Sequence, residues 1–188
     1  MKVATPTSEK WLIEQSRKGN QVAFGQLVDR FSQQVRTTVI GMLGDTAEAD
    51  DVAQEVFIRF YKSVKDFRGD SKVGTYLTRI AINLSINELN RRKRKGRWLT
   101  LFKSGEKDFL PLQIADKSAN LERFDTKELI EKSLQILDVD FRAVVILRLI
   151  DGYSVKETAE ILELPMGTVA SRLARGQKKL QQILKNHL

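Results

Sequence analysis

The chain of 188 residues contains no cysteine, and its one histidine, His187, is second from the end. The lack of cysteine excludes disulfides, thiolate zinc sites and thiol catalysis. A single histidine leaves no donor set for a histidine metal site or a Ser-His-Asp triad. The acidic pair Asp50 and Asp51 is more typical of a helix start than of a catalytic dyad, and no Gly-rich phosphate loop occurs. We therefore expect no enzyme, no metal, no cofactor and no small-molecule substrate.

Long apolar runs are also missing. No stretch approaches the ~20 apolar residues that span a bilayer, and the N-terminus lacks the apolar segment of a signal peptide. We therefore expect a soluble, cytoplasmic protein.

Lysine and arginine number 32 against 24 acidic residues, which gives a net charge of +8 and a pI near 9.7. This balance favours a polyanionic partner, nucleic acid or an anionic membrane surface, without choosing between them.

Proline is scarce, with only three in the chain: Pro6, Pro111 and Pro165. The stretches between them follow a helical period, and no convincing strand alternation occurs, so the sequence predicts an all-α fold. The helical signal is weakest between Gly96 and Asn120. We expect two small helical domains, residues 1–95 and 121–188, joined by a flexible linker at 96–120.

The strongest motif lies near the C-terminus. Gly152 ends one helix, and Ser154 with Glu157 predicts a capping box for the next helix, Val155 to Leu162. Pro165 then prevents simple continuation of that helix, and a longer helix follows from near residue 167. A short helix, a tight turn and a longer helix together make a helix-turn-helix, which binds duplex DNA.

The last helix has two faces on a helical wheel. The apolar side chains, which we expect to pack, are Val169, Leu173, Leu180, Ile183 and Leu184. The polar and basic side chains, which we expect to enter the major groove, are Thr168, Ser171, Arg172, Arg175, Lys178 and Lys179. No acidic residue follows Glu163, which suits contact with phosphate. The alternative is a solvated basic face on an ordinary core helix.

A second amphipathic helix is predicted from Ala49 to Asp66. Ile58 lies in the middle of its polar half, among Asp51, Gln54, Glu55, Arg59 and Lys62. A single exposed aliphatic residue is common and requires no function. An apolar residue inside a ring of mixed charge is also typical of a surface that docks another protein. The residues alone leave both interpretations open.

The following helix, Val73 to Lys95, has apolar residues on two arcs, which suits the middle of a bundle. Between the arcs runs a polar stripe of Tyr76, Arg79, Asn83, Asn87, Asn90 and Arg91. Such a stripe can stack and hydrogen-bond unpaired bases, or it can be a polar seam between helices. The basic run at residues 91–95, which includes Arg92, indicates a nucleic-acid patch, a membrane-surface patch or a solvated helix end.

Three stretches of the chain resemble the extracytoplasmic-function (group 4) sigma factors of the sigma-70 superfamily. They are DDVAQEVFIRFY at residues 50–61, FRGDSKVGTYLTRIAIN at 67–83, and the helix-turn-helix from GYSVKETAEIL to GTVASRL. Their order and spacing match the family over nearly the whole chain. The resemblance implies a sigma factor, which binds RNA polymerase core and directs promoter recognition and DNA opening at transcription initiation.

The resemblance also implies a role for each surface. One face of the first helix docks on the clamp helices of the β′ subunit: Asp51, Gln54, Glu55, Ile58, Arg59 and Lys62. The next loop and helix hold the −10 element as single-stranded DNA with a flipped base: Ser71, Lys72, Tyr76, Arg79, Asn83, Arg91 and Arg92. The C-terminal domain reads the −35 duplex through the groove face given above and contacts the β flap. The free chain is expected to be a monomer, held inactive by an anti-sigma factor that can lie at the membrane.

The sequence departs from the family pattern at a few positions. Tyr76 stands where tryptophan is usual, and Val73 where phenylalanine is common, so stacking is expected to survive while packing beneath the loop differs. Ala170 and Ala174 replace larger or basic residues on the last helix. Readout of the −35 bases is therefore expected mainly from Ser171, Arg172 and Arg175.

The alternative function is a stand-alone helix-turn-helix regulator whose N-terminal domain senses a ligand or dimerises.

Overall fold

The computed structural model describes the backbone of residues 8–69, 71–103 and 126–185, with side chains for 8–69, 71–95 and 128–185. The helices are α1 (Glu9–Arg17), α2 (Gln21–Leu43), α3 (Ala47–Ser63), α4 (Val73–Lys103), α5 (Thr126–Ile136), α6 (Val139–Val145), α7 (Val155–Leu162) and α8 (Met166–Lys185). A π-helical turn, Ile146–Ile150, continues α6. No strand occurs in these three ranges, and the all-α prediction is confirmed. Most of the predicted linker, from residue 104 to 120, lies outside the described residues.

Local sequence signals set where several helices begin. Ser8, Asn20 and Thr46 stand at the N-caps of α1, α2 and α3, and each side chain accepts a hydrogen bond from a main-chain amide of the first turn. These caps satisfy donors that have no partner inside the helix. Gly152, with φ of +75°, closes the π-helical turn in the left-handed region that favours glycine.

α4 is longer than the sequence indicated. The predicted end was Lys95, but the helix continues through Gly96 to Lys103. A single glycine costs a helix only about 1 kcal/mol relative to alanine, and the next proline is Pro111. Gly96 therefore weakens the helical signal without ending the helix, and the first part of the predicted linker is helical.

α2 lies at the centre of the fold. α1, α3 and α4 pack on it, and Phe60 of α3 is completely buried there. The second half packs around α6, where α8 crosses so closely that a Cβ on Gly176 would lie 2.8 Å from Cγ2 of Val145. The two halves share one hydrophobic core, because Ile146 and Leu147 are buried in the same cluster as the end of α2. The fold thus brings the helix-turn-helix beside α4.

Candidate nucleic-acid and protein interfaces

The polar face of α3 is a continuous exposed surface. Ile58 is 48% exposed, whereas Val56 and Phe60 on either side of it in sequence are fully buried. Asp51, Gln54, Arg59 and Lys62 are exposed around it, and Glu55 is half-buried. Arg59 Nε lies 3.0 Å from Glu55 Oε1, an i,i+4 pair along the helix. The structure therefore places all six predicted docking residues on one face, with the apolar side chain inside it.

The loop before α4 and the first turns of α4 carry the predicted single-strand residues. Ser71 is half-buried and Lys72 is exposed. The Tyr76 ring is half-buried, with its centroid 5.2 Å from that of Phe67 and 5.9 Å from that of Phe60. Its hydroxyl lies 3.2 Å from Ser63 Oγ and donates to it. Packing and this hydrogen bond hold the ring in one orientation.

A cleft of about 610 Å³ lies between α1 and the loop at residues 67–72. Phe67, Arg68, Ser71 and Lys72 form the loop side, and Glu9, Lys10, Ile13, Glu14 and Arg17 form the α1 side. The Val73 amide donates to Glu9 Oε1 at 3.4 Å, which ties α1 to the start of α4. Sequence analysis missed the contribution of α1. The spacing of Glu9, Ile13 and Arg17, four residues apart, places them on one helix face and could have indicated it.

The polar stripe of α4 divides into exposed and engaged residues. Asn83, Asn87 and Asn90 are exposed. Arg79 is engaged, because its Nη2 donates to the main-chain carbonyl of Glu160 in α7 at 2.8 Å. The structure thus supports part of each interpretation of this stripe: one member is a contact between helices and others are open to solvent.

The two arginines at the far end of the stripe differ. Arg91 is exposed and forms two hydrogen bonds to Glu88, at 2.7 and 2.9 Å, which lower the pKa of Glu88 and raise that of Arg91. Arg92 is more enclosed and donates to Glu88, to Thr46 Oγ1 and to the Leu43 carbonyl. Both lie at least eight residues beyond Asn83, about 12 Å along the helix. Arg92 is therefore tied to the fold, and the pair is separate from the loop end of the stripe.

The helix-turn-helix has the predicted local structure. Ser154 Oγ accepts from the Glu157 amide at 3.1 Å, and Glu157 Oε2 accepts from the Ser154 amide at 2.8 Å. The main-chain hydrogen bond from Ser154 is the largest cause of a lowered pKa of Glu157. Glu163 ends α7 in the left-handed conformation, with φ of 54°. The capping box and the bounds of α7 are confirmed.

α8 presents the expected apolar face to the domain. Val169 is buried, and Leu173, Leu180, Ile183 and Leu184 are half-buried. On the other side, Ser171, Arg175 and Lys178 are exposed and Thr168 is half-buried.

Two of the predicted groove residues lie on the flank of α8 and contact α6 or its N-cap. Arg172 Nη2 is 3.1 Å from Asp140 Oδ2, and Lys179 Nζ is 2.5 Å from Asp138 Oδ2. Lys179 Nζ also lies 4.9 Å from the centre of the Phe141 ring. Both cations are therefore paired with carboxylates at the start of α6, and Lys179 is exposed to solvent, as are Ser171, Arg175 and Lys178.

Over the described residues, no cluster of histidine, cysteine, aspartate or glutamate has an arrangement that could hold a metal ion. Within the same ranges, no helix is both long and apolar enough to cross a membrane.

Comparison with known proteins places both halves of the chain in sigma-70 families. Residues 27–95 match Sigma-70 region 2, and residues 127–180 match Sigma-70, region 4. The ECF RNA polymerase sigma factor SigW of Bacillus subtilis is 35% identical over 182 residues, which cover 93% of this chain and 95% of SigW. The RNA polymerase sigma-H factor of Pseudomonas aeruginosa is 30% identical, over 96% of this chain and 95% of that protein.

A solved structure has a similar fold. CnrH in complex with the cytosolic domain of CnrY is 28% identical to this chain, with a TM-score of 0.66 over 93% of this chain and 95% of that one. The helix-turn-helix, the α3 face and the two family matches define a promoter-recognition subunit of the sigma-70 type. The chain belongs to the ECF sigma factors. It therefore binds RNA polymerase core and directs promoter recognition at transcription initiation, and the reading as a stand-alone regulator is not favoured.

Proposed function

We propose that three surfaces divide the work of this sigma factor: the α3 face binds core polymerase, the cleft and stripe beside α4 capture the −10 strand, and α8 reads the −35 duplex. The observation that carries the proposal is Ile58. It is the one large aliphatic side chain of α3 that is nearly half exposed, in a ring of charged and amide groups. An apolar residue inside such a ring is typical of a surface that docks another protein.

Substitution of Ile58 by aspartate tests the core-binding surface. Buried apolar anchors at protein interfaces contribute 2 kcal/mol or more, so Ile58→Asp should weaken core binding at least about thirtyfold. The matched control is Val22→Asp, because Val22 is an aliphatic residue that is 73% exposed on a different helix, α2. Core affinity can be measured by fluorescence anisotropy with labelled chain. Equal affinities of Ile58→Asp and Val22→Asp would contradict the proposed surface.

The −10 strand is proposed to meet a prepared surface. Tyr76 offers a ring already fixed by Phe67, Phe60 and Ser63, so little side-chain freedom is lost when a base stacks on it. The cleft between α1 and the loop has the volume of a ligand pocket and takes the extruded base, and Lys72 at its edge faces the phosphates. Arg79 and Asn83 continue the path along α4, and Arg91 and Arg92 extend the positive charge beyond it.

The −35 duplex is proposed to meet the exposed part of α8. Ser171 and Arg175 reach base edges, and Thr168 and Lys178 contact phosphate. Arg172 and Lys179 instead pair with Asp140 and Asp138. The sequence predicted base readout by Ser171, Arg172 and Arg175. This assignment keeps Ser171 and Arg175 and leaves Arg172 out.

The mechanism needs no bond change by the chain itself. Core binding through α3 brings the chain to the promoter, α8 docks on duplex, and capture of the melted strand beside α4 makes opening favourable.

An anti-sigma partner is supported by the CnrH structure, which was solved with the cytosolic domain of CnrY. Such a partner would hold this chain, a monomer when free, in the cytoplasm or at the membrane surface. The β-flap contact of α5–α8 belongs to the same proposal.

A further inference from the structure

A polar seam joins the two halves of the molecule. Tyr153, between the π-helical turn and α7, accepts at its hydroxyl from Gln34 Nε2 at 2.8 Å, and this hydroxyl also lies 2.9 Å from Thr78 Oγ1. Two residues earlier, Asp151 Oδ2 accepts from Thr38 Oγ1 at 2.9 Å. Thr38 and Thr78 are completely buried. These five residues are called the interdomain latch below.

The end of α2 is capped by the other half of the chain. The last carbonyls of a helix have no partner within it. Here the Gly41 carbonyl accepts from Gln135 Nε2 at 2.8 Å, and the Met42 carbonyl accepts from Arg142 Nη1 at 2.5 Å. Ile146 packs at Gly41, where an added Cβ would come within 3.0 Å of it. Side-chain hydrogen bonds and close packing thus hold the halves in one relative position.

This position places α7 over part of the proposed −10 surface. Arg79 donates to the Glu160 carbonyl of α7, so the guanidinium is turned toward the protein. Lys72 is close enough to Glu157 to contribute to the lowering of its pKa. The Glu160 carbonyl therefore takes the place that a phosphate or base of the −10 strand would take at Arg79, and Glu157 adds negative charge near Lys72.

We infer that the free chain is self-inhibited: the interdomain latch closes α7 over Lys72 and Arg79, and single-stranded −10 DNA competes with this closure. The inference rests on the proposed −10 surface. In the closed chain the Arg79 guanidinium is already occupied by the Glu160 carbonyl, and the strand can reach it only after the halves separate. Because only a small fraction of the chain is open, the apparent affinity for the strand is lowered in proportion to that fraction.

Opening can be followed directly, because the chain contains no native cysteine. Lys65→Cys and Gln181→Cys place a donor and an acceptor dye at exposed positions, one in each half. In this labelled background, Tyr153→Phe removes only the hydroxyl that joins Gln34 and Thr78. The matched control is Tyr61→Phe, the same chemical change at an exposed ring of α3. Thr38→Val is a second latch variant of nearly unchanged shape.

Two quantities are measured for each full-length variant: energy transfer, and affinity for a single-stranded oligonucleotide that carries the −10 sequence mapped at an activated promoter. Loss of two neutral hydrogen bonds should shift the closing equilibrium roughly fivefold to a hundredfold. Tyr153→Phe should lower energy transfer and raise oligonucleotide affinity by a comparable factor, with helicity unchanged by circular dichroism. Thr38→Val should act in the same direction, and Tyr61→Phe should match the parent.

Unchanged energy transfer together with unchanged oligonucleotide affinity in both latch variants would overturn the latch. Lower transfer without a rise in oligonucleotide affinity would overturn the competition with DNA. The −10 surface itself is tested separately, by transcription with core polymerase and Asn83→Ala, since Asn83 lies outside the latch and is exposed. Normal transcription by Asn83→Ala would count against the proposed function and leave the measurement of closure intact.

Discussion

Arg142 shows how much a single buried side chain contributes to this fold. It is 5% exposed, and its guanidinium donates to the carbonyls of Met42, Gln135 and Leu137 and to the side chain of Gln135. Burial lowers its pKa to about 10, which still leaves it charged at neutral pH. One side chain thus satisfies acceptors from α2 and from the turn between α5 and α6.

Replacement of Arg142 by methionine should cost about 2–4 kcal/mol in the free energy of unfolding, because the buried carbonyls lose a charged donor and cannot reach water. Urea unfolding followed by circular dichroism measures this. The control is Arg36→Met: its pairs with Asp45 and Asp50 are exposed, so its loss should cost less than about 1 kcal/mol. Similar costs for the two variants would show that Arg142 is not the bridge described.

Sequence analysis could not single out Arg142. On a helical wheel it is one more cation in an amphipathic segment, and its role as a bridge depends on the Met42 carbonyl, a hundred residues away in the chain. The same applies to Gln34 and Thr38, which look like ordinary surface polar residues of α2. Ser154, Glu157 and Pro165 were different, since their signals act within a few residues and predicted the bounds of α7.

At the scale of the helix, we propose that the polar residues of α8 divide into those that pair with carboxylates at the start of α6 and those that read DNA. Its apolar face was predicted correctly, because a wheel needs only the period of the helix. The wheel could not place Arg172 and Lys179, since their partners Asp140 and Asp138 come from another segment. The first six turns of α4 were also predicted from the helical period. Its continuation past Gly96 was not, because the local helical signal there is too weak to show whether the helix ends.

The two arginines of α8 should therefore respond differently to substitution. Arg175→Ala should weaken −35 duplex binding by about 1–3 kcal/mol and relax preference at one base position. Arg172→Ala should preserve base preference, because its guanidinium is directed to Asp140. Competition binding of promoter duplexes with single-base changes, in the presence of core, measures both. If Arg172→Ala loses base preference and Arg175→Ala retains it, the assignment on α8 is reversed.

At the scale of the whole molecule, closure should depend on pH through Asp151. Burial raises the pKa of Asp151 to about 6, against an ordinary value of 3.8, although the hydrogen bond from Thr38 acts in the opposite direction. The surrounding latch residues Thr38 and Gln34 do not titrate, and burial raises the pKa of Tyr153 above its usual value near 10. Arg148, on the preceding turn, donates to the Tyr153 carbonyl.

The closed state holds the Asp151 proton more tightly than an open state in which this carboxyl is hydrated. Closure should therefore strengthen as pH falls through about 6, and weaken as pH rises through it. Between about pH 7.5 and about pH 5 the closing constant should rise roughly tenfold. Energy transfer in the doubly labelled chain measures this, with Asp151→Asn as the variant that removes the titration. A pH response that persists in Asp151→Asn would assign the effect to another group.

The shared core explains why the relation between the two halves was not predictable. Composition, the helical period and the weak signal after Gly96 indicated two domains, and the family matches fall on the same two stretches. The contacts between Ile146 and Gly41, or between Arg79 and Glu160, are long-range and leave no pattern in the sequence. They are the basis for the proposed competition between closure and capture of the −10 strand.

The most direct test of the account is run-off transcription by purified core polymerase from a promoter mapped by transcript ends after overexpression. Specific transcripts are expected only when the chain is added; at concentrations that saturate the parent, they should be retained with Val22→Asp and lost with Ile58→Asp. Equal transcript from core without the chain, or full activity of Ile58→Asp, would contradict the assignment of the α3 face and with it the division of work among the three surfaces.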